Sequence, residues 1–372
     1  MAGIYIHIPF CKQACYYCNF HFSTKKNYKI LIKSIEKEIF LKKNFLKNEK
    51  IESIYFGGGT PSLIKSSSIK KIIDAINENY IIKPECEITL ESNPDDITEE
   101  ILQQWKMIGI NRISIGIQSF NDTILKIMNR SHDSTKGKDA LEKIQKYFDN
   151  YSIDLIYGSP KSTINSIKKD LKFIKKINPP HISIYNMTIE KKTVFYNLKK
   201  LGKLKFPSTS RVLNQYKTIQ NFMKNNKYIN YEISNFCKND LVSIHNSNYW
   251  KSRKYIGFGP SAHSYDLNKR YWNSSNNEDY IESINNNIIP QSKEILSKKN
   301  KINEYIMTRI RTIWGINLKK LSNEYEIDLY HLKKKELDFF EKKNHIKIKN
   351  NSIYLKDEGK IISDHITEKL IL

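Results

Sequence analysis

Three cysteines lie close together near the start of the chain and are the residues best suited to chemistry. Cys11, Cys15 and Cys18 follow the apolar segment 4–10 with the spacing C-x3-C-x2-C, and the whole chain contains five cysteines. Thiolates grouped this closely usually hold a metal ion or an iron–sulfur cluster. The spacing therefore predicts a metal or cluster site directly after a short buried strand.

Three kinds of site fit these cysteines. A structural zinc ion needs four closed ligands, so it would also need His7 or His21. A disulfide leaves one cysteine over, and a reducing compartment disfavours it. Iron–sulfur clusters usually have four cysteine ligands, so a cluster held by three would leave one iron open for a small molecule. We favour the cluster.

Six short apolar runs, rich in β-branched residues, predict the framework that positions this site. They cover residues 4–8, 53–56, 87–90, 112–117, 153–157 and 181–185. Each run is continuous rather than alternating, which is typical of buried parallel strands. Helical periodicity follows at residues 28–47, 66–79, 98–107, 121–128, 136–148 and 163–177. Crossovers of this length imply parallel strands, so the alternation predicts an α/β barrel or an open α/β sheet.

Polar and glycine-rich residues follow most of these strands, and an acid lies within the fifth. They are Cys11, Gly57, Gly58, Gly59, Thr60, Glu91, Asn93, Gln118, Asp154 and Asn186. Active sites of parallel barrels gather at the carboxyl ends of the strands, so we expect one shared rim. The loop 57–60 fits either a tight turn or a close backbone approach to a ligand. Asp154 and Gln118 each need a polar partner, because a buried carboxylate or amide is costly alone.

The C-x3-C-x2-C spacing after a first strand resembles that of the radical S-adenosylmethionine (SAM) family. The string Tyr5-Ile6-His7-Ile8-Pro9-Phe10-Cys11 resembles one branch of it, which contains the oxygen-independent coproporphyrinogen III dehydrogenases and the HemW heme chaperones. The resemblance covers nearly the whole chain. It implies a partial (β/α)6 barrel, a [4Fe-4S] cluster on the three cysteines, SAM on the open iron, and an electron donor protein, because reduction cleaves SAM to a 5′-deoxyadenosyl radical.

The resemblance also implies which residues bind SAM. Gly58, Gly59 and Thr60 match the loop that meets the amino group of SAM, Arg130 matches the arginine that binds its carboxylate, and Asp154 matches the acid that holds its ribose hydroxyls. The remaining residues of this set are Tyr5, Tyr17, Glu91 and Gln118. Tyr5 and Tyr17 fit a packing role equally well.

Two departures separate the chain from the dehydrogenases. Phe20 stands where the dehydrogenases have a fourth cysteine, and Tyr5 already lies in the first strand, without their N-terminal extension. The strings 231–236 (YEISNF) and 245–250 (HNSNYW) resemble those of the heme chaperones. We therefore expect a heme chaperone that passes heme to acceptor proteins such as respiratory cytochromes. The second hypothesis is a dehydrogenase that converts two propionates of coproporphyrinogen III to vinyl groups. The third is a radical SAM enzyme that acts on another substrate.

The second of these strings predicts the heme site. His245 is a candidate axial ligand because heme iron commonly takes histidine, and Asn246, Tyr249 and Trp250 stand beside it. His263, in a glycine-rich turn, is the rival ligand.

The charge of the chain is strongly positive. Lys and Arg number 62 against 39 Asp and Glu, a formal net charge of +23. Because lysine is spread along the whole chain, we interpret this as compositional bias and expect no nucleic-acid partner. Peripheral contact with anionic lipid stays open. No apolar run of 18 residues and no signal peptide are found, so we expect a cytoplasmic protein without a transmembrane helix.

The chain divides into three predicted parts. Residues 1–187 form the radical SAM barrel, 188–295 an extension that carries the HNxxYW segment, and 296–372 a C-terminal domain. In the last part we predict helices at 301–311, 318–325 and 329–343 and a strand pair at 346–349 and 352–355. Three helices and a ribbon resemble a winged helix.

Overall fold

The computed structural model describes residues 1–24 and 28–372, and its centre is a parallel sheet with helices outside it. The six predicted strands are present as β1 (Ala2–Ile8), β2 (Lys50–Gly58), β3 (Ile81–Ser92), β4 (Arg112–Gln118), β5 (Tyr151–Tyr157) and β6 (His181–Asn186). Every neighbouring pair among them is parallel. The predicted α/β class is therefore confirmed.

The predicted helices connect these strands. They are α1 (Tyr28–Leu41), α2 (Ser66–Asn79), α3 (Glu99–Met107), α4 (Asp122–Ile127), α5 (Ser134–Tyr147) and α6 (Ile164–Ile177). In α2, Ile69, Ile72, Ile73 and Ile76 form the buried stripe that helical periodicity requires. Helix α1 ends six residues before the predicted position 47, and turns follow. Of the helices in residues 1–24 and 28–372, none combines the length and apolar character that crossing a bilayer needs.

The sheet continues beyond both edges of the parallel core. The following elements are α7 (Val194–Lys200), α8 (Thr209–Asn225), β7 (Ile229–Asn230), β8 (Asn235–Cys237), α9 (Ile244–Trp250), β9 (Lys254–Phe258), β10 (His263–Tyr265), β11 (Lys269–Asn273), α10 (Asn277–Asn285) and β12 (Gln291–Ile295). Within the described residues the strand order is β12-β11-β10-β9-β1-β2-β3-β4-β5-β6-β8-β7. The edges β12 and β7 do not pair, so the barrel is partial, as predicted.

Strands β7 to β12 escaped the sequence analysis for a physical reason. They contain two to five residues each, and β12 is exposed along its whole length. Prediction from continuous apolar runs finds only strands that are covered on both faces.

The C-terminal region has an apolar core of its own. Its elements are α11 (Lys298–Ile310), β13 (Ile316–Asn317), α12 (Leu318–Tyr325), α13 (Leu329–Leu332), α14 (Lys334–Lys342), β14 (Ile346–Lys349), β15 (Ser352–Leu355), α15 (Asp357–Ile361) and α16 (Ser363–Leu370). The predicted helix 329–343 is interrupted at Lys333, which leaves helical geometry. The separate apolar cluster, whose buried members run from Ile302 to Leu370, supports the proposed division at residue 296.

Candidate functional site

A cavity of about 940 Å³ opens at the carboxyl ends of the parallel strands. We call it the rim cavity. The predicted site residues that line it are Cys11, Cys15, Tyr17, Cys18, Gly58, Gly59, Thr60, Glu91, Gln118, Arg130, Asp154 and Asn246. Residues separated by more than two hundred positions therefore meet in one space, because parallel strands end at the same edge of the sheet.

Hydrogen bonds hold the cysteine loop, residues 11–18, against the end of α4. The Asn129 side chain accepts a hydrogen bond from Gln13 Nε2 at 2.6 Å and donates one to the Ala14 carbonyl at 2.7 Å. On the other side, Lys12 forms ion pairs with two carboxylates of the turn after β3. The loop thus has a defined position even though it has no regular secondary structure.

The chemistry of the three thiols fits a cluster. Burial raises the pKa of Cys11 to about 11 and raises that of Cys18 in the same direction. Iron binds the thiolate form, so a metal centre beside these sulfurs would supply the positive charge that stabilises thiolates in this buried position. Thr60 Oγ1 lies 3.6 Å from the Cys11 sulfur, and Arg130 Nη1 lies 3.4 Å from that of Cys15. The donor set is three free thiols facing one cavity.

The candidate fourth ligands of a zinc site have other partners. His7 Nε2 lies 3.0 Å from the carbonyl oxygen of His21, and His21 Nε2 lies 2.8 Å from Asn277 Oδ1. Burial lowers the pKa of His7 to about 4. Throughout residues 1–24 and 28–372, no three His, Cys, Asp or Glu side chains are arranged to hold a single metal ion. These positions fit a three-cysteine cluster better than a four-ligand zinc site.

Arg130 is arranged to receive a carboxylate. Its Nη2 donates to Asn93 Oδ1 at 2.5 Å and to the Gly116 carbonyl at 2.8 Å, while Nη1 lies 3.4 Å from the Tyr17 hydroxyl. Its buried Nε has no hydrogen-bond partner within the part of the chain that the structure describes. A guanidinium that lines a cavity suits an anionic ligand such as a carboxylate. The arrangement fits the role expected for Arg130 towards the carboxylate of SAM.

Glu91 places a carboxylate at the cavity wall. Its Oε1 accepts a hydrogen bond from the Tyr55 hydroxyl at 2.7 Å, and its Oε2 accepts one from the Gly58 N–H at 3.2 Å. Burial, with a smaller contribution from the charge of Asp154, raises the pKa of Glu91 to about 7. A buried carboxylate is costly unless a cation meets it. This site therefore favours a ligand with positive charge.

The glycine loop after β2 lies tightly against β1. A Cβ on Gly58, where φ is +112°, would lie 2.7 Å from the His7 ring, and one on Gly59 would lie 2.6 Å from the Phe10 carbonyl oxygen. The Thr60 N–H also donates to that oxygen at 2.7 Å. The two interpretations of the loop are therefore compatible: it is a tight turn, and its backbone also lines the cavity.

Asp154 and Gln118 face the cavity from β5 and β4. Ser114 Oγ donates to Asp154 Oδ2 at 3.2 Å, and burial raises the pKa of Asp154. Gln118 has a backbone φ of 64°, a value that residues other than glycine rarely adopt. Such strained positions cluster at functional sites. Tyr17 lines the cavity as well, whereas Tyr5 packs beneath it, with ring centroids 6.1 Å from Tyr55.

His245, the first candidate heme ligand, is buried behind the cavity walls. Only 2% of it is exposed, Nδ1 lies 2.9 Å from Ser53 Oγ, and Nε2 lies 2.9 Å from the Tyr249 hydroxyl. Burial lowers the pKa of the imidazole to about 3. Both ring nitrogens are engaged, so binding iron would require one of these hydrogen bonds to break. The role of His245 as axial ligand stays a prediction, and this arrangement does not favour it.

The other candidate heme residues lie in two further places. Asn246, Tyr249 and Trp250 line a second cavity of about 510 Å³, and Asn246 also lines the rim cavity. His263 is exposed and stacks on Trp272, with ring centroids 6.3 Å apart, at a third cavity of about 590 Å³. The two candidate iron ligands are therefore not brought together.

Arg112 was not expected in the site, and Asn93 was expected at the rim without an assigned role. Arg112 lines the rim cavity although it is 1% exposed, and its Nε lies 3.8 Å from Glu87 Oε2. Asn93 accepts from Arg130 and donates to Thr60 Oγ1 at 3.1 Å. Arg112 begins an apolar strand. A buried charge in such a strand is costly unless it is paired, so the reasoning that singled out Asp154 could also have found Arg112.

Comparison with known proteins agrees with this arrangement. The family model of the radical SAM superfamily matches residues 5–174, and that of the HemN C-terminal domain matches residues 296–362. Among solved structures, the coproporphyrinogen III oxidase HemN from Escherichia coli superposes with a TM-score of 0.85. It has 21% sequence identity, over all of this chain and 90% of that one. At this identity the likeness shows a shared fold.

Sequence relatives are closer. The heme chaperone HemW of Lactococcus lactis subsp. lactis is 31% identical over 99% of this chain and 97% of its own length. The heme chaperone HemW of Buchnera aphidicola subsp. Schizaphis graminum is 34% identical over 90% of this chain and 89% of its own length. Because such relatives match almost from end to end, the chain belongs to the HemW family of the radical SAM superfamily.

Proposed function

We propose that the chain is a heme chaperone. It binds heme together with a [4Fe-4S] cluster and SAM, and it transfers heme to acceptor proteins such as respiratory cytochromes. Full-length relatives named heme chaperones support this proposal. Its other partner in this proposal is an electron donor protein, and its compartment is the cytoplasm. The net charge of +23 is compatible with contact at an anionic membrane surface.

The residues of the rim cavity would hold the two cofactors. Cys11, Cys15 and Cys18 would ligate three irons of the cluster and leave the fourth open. Gly58, Gly59 and Thr60 would meet the amino group of SAM, Arg130 its carboxylate, and Asp154 its ribose hydroxyls. The residues that complete the set are Tyr5, Tyr17, Glu91 and Gln118. When bound, the pair supplies one-electron cleavage of the SAM sulfonium.

The protein's own contribution is charge placement. Arg130 and Glu91 both line the cavity, and the Glu91 carboxylate is anchored by Tyr55 and Gly58. A zwitterionic amino acid group bound between them would be oriented by both ends. Because the guanidinium and the carboxylate are already held in place, they need not reorganise when the ligand arrives, which favours tight and directional binding.

The observation that carries the chaperone proposal over the dehydrogenase is Phe20. Its side chain is 73% exposed and lines the rim cavity beside the cluster cysteines. The dehydrogenases have a fourth cysteine at this position, so here the cavity meets an apolar ring where they present a thiol. The heme site in this proposal is the segment that carries Asn246, Tyr249 and Trp250 at the second cavity. His245, the first candidate iron ligand, lies behind its wall, and His263 is the rival ligand.

The dehydrogenase stays the second candidate, because all residues of the expected SAM-binding set except Tyr5 line the rim cavity. An anaerobic assay separates the two functions. Reconstituted protein receives SAM, a reductant and coproporphyrinogen III, and chromatography follows the porphyrins. We expect no conversion of coproporphyrinogen III. We expect the same protein to bind one equivalent of hemin per chain. Protoporphyrinogen formed over many turnovers would make the chain a dehydrogenase.

Two variants sharpen this assay. Cys11→Ala should lose the brown absorption of the cluster, and a full four-iron complement in that variant would refute the ligand assignment. Phe20→Cys restores the residue type of the dehydrogenases at the position that distinguishes them. Turnover in Phe20→Cys but not in the unmodified protein would assign the loss of activity to this side chain.

A further inference from the structure

The second cavity, of about 510 Å³, lies between the end of α9, strands β9 to β11 and helix α11. It joins the extension to the C-terminal region, and it shares the wall residues Tyr185, Ser234 and Asn246 with the rim cavity. Ligand pockets for molecules of moderate size have volumes of about 300–1,000 Å³. The second cavity is therefore large enough for a ligand of its own, directly beside the predicted SAM site.

Aromatic side chains form part of the wall of this second cavity. Trp250 comes from the end of α9, Tyr255 from β9 and Tyr265 from β10. Tyr255 and Tyr265 have ring centroids 5.9 Å apart, and Tyr249 meets Tyr255 edge to face at 4.7 Å. Flat, fixed rings of this kind suit the face of a planar, largely apolar ligand.

Cationic side chains also line this cavity. Arg253 and Arg270 both line it, and each forms one ion pair: Nη1 of Arg253 with Glu52 at 2.7 Å, and Nη2 of Arg270 with Glu304 at 2.9 Å. A guanidinium has five N–H donors, so one ion pair leaves capacity for a second carboxylate.

Two acids, Glu232 and Glu304, also line the cavity. Burial raises the pKa of Glu232 to about 7 and raises that of Glu304. Glu304 is paired with Arg270, and burial favours the neutral form of Glu232, so the free donors of Arg253 and Arg270 stay available to an anionic ligand.

We propose that the second cavity binds the heme, with the macrocycle on Trp250 and its carboxylates on Arg253 and Arg270. The proposal rests on the proposed function and adds the site, the recognition chemistry and a role for α11 of the C-terminal region. Recognition depends on the flat ring and on the propionate charges. It does not depend on His245, whose ring nitrogens are both engaged behind the wall.

Binding of three probes tests this chemistry on the unmodified protein. They are hemin, metal-free protoporphyrin IX and the dimethyl ester of protoporphyrin IX. We expect hemin and protoporphyrin IX to bind, and the ester, which has no carboxylate charge, to bind at least tenfold more weakly. Equal affinity for the ester and the free acid would overturn the role of the two arginines. No binding of protoporphyrin IX would overturn recognition by ring and carboxylates.

Variants locate the site. Trp250→Leu and the double variant Arg253→Gln/Arg270→Gln should each weaken hemin binding at least tenfold, with iron content and SAM binding retained as evidence of folding. Matched controls are Trp272→Leu, at the third cavity, and Arg211→Gln, on the exposed start of α8. Both should bind hemin as the unmodified protein does.

The outcomes separate this proposal from the proposed function. Loss of hemin binding in Trp272→Leu, with full binding in Trp250→Leu, would move the site to the third cavity and leave the heme chaperone standing. No hemin binding by the unmodified protein would overturn both.

Discussion

The imidazole ring of His245 lies against the phenol ring of Tyr55, with ring centroids 4.9 Å apart and ring planes at 23°. The hydroxyl of the same tyrosine donates to Glu91 at 2.7 Å. A stack and a hydrogen bond thus connect helix α9, which carries the HNxxYW segment, to the carboxylate at the wall of the rim cavity. His245 therefore supports the wall of the rim cavity from behind.

The first prediction is that His245→Ala weakens SAM binding more than heme binding. Removing the ring takes away the stack on Tyr55, which holds Glu91 at the cavity wall. Such a stack is worth about 1 kcal/mol, so SAM affinity should fall about fivefold. Equilibrium binding of SAM and hemin to the same reconstituted protein measures both. The exposed His331→Ala serves as control. A variant that keeps its SAM affinity and loses hemin would return His245 to the role of iron ligand.

Arg130→Lys tests the carboxylate-binding fork. Lysine keeps the charge but loses the planar set of donors, so we expect SAM affinity to fall by roughly tenfold or more. Cluster content should remain, because the three cysteines are unchanged. Equilibrium dialysis with SAM measures the loss, and iron analysis measures the cluster. Arg211→Lys is the matched surface control, and an affinity within twofold of the unmodified protein would contradict the assignment.

Gly58→Ala tests the packing of the glycine loop against β1. Both Gly58 and Gly202 have positive φ, at +112° and +68°, but only at Gly58 would a Cβ meet another group, the His7 ring. Each substitution costs about 1–3 kcal/mol in backbone strain. Gly58→Ala should therefore unfold at lower urea concentration than Gly202→Ala and should also lose SAM affinity. Equal behaviour of the two variants would show that the loop can move away from β1 at little cost.

Glu91 should make the stability of the cofactor-free protein depend on pH. Its pKa is raised to about 7 in the folded chain, above the ordinary value of 4.5, so the folded state keeps a proton that the unfolded state has lost. This contribution is therefore complete below the unfolded pKa and is lost as the pH rises through 7.

The variant Glu91→Gln measures this effect, because it cannot ionise. Relative to the variant, the unmodified protein should lose about 2 kcal/mol in free energy of unfolding between pH 5.5 and pH 8, at 1.36 kcal/mol per pKa unit. Urea unfolding under reducing conditions at both pH values gives the difference. The exposed Glu282→Gln is the control. A constant difference at both pH values would show that Glu91 is ionised in the folded chain throughout this range.

Much of the site could be predicted because its residues come directly after predicted strands in the sequence. Cys11, the loop 57–60, Glu91 and Gln118 all come at the ends of apolar strands, and parallel strands bring such ends to one rim. Arg130 has no such signal of its own. Only the family resemblance singled it out, since an arginine after a short helix is ordinary in sequence.

The contacts that could not be predicted are those between distant side chains. Nothing in the HNxxYW segment reveals that His245 lies under Tyr55, because a helix of seven residues does not indicate which side faces the core. The second cavity has the same character. Its walls come from α9, three short strands and α11, whose spatial relation depends on the unpredicted strands β9 to β12.

Transfer of heme to an acceptor tests the central claim most directly. The reconstituted protein is loaded with one equivalent of hemin and mixed with an excess of an apocytochrome, and the absorption spectrum of the acceptor is followed in time. We predict nearly stoichiometric transfer that is faster than spontaneous release of hemin into a passive scavenger such as apomyoglobin. Heme that stays on the protein, or that leaves at the same rate whichever acceptor is present, would contradict the claim that this chain is a heme chaperone.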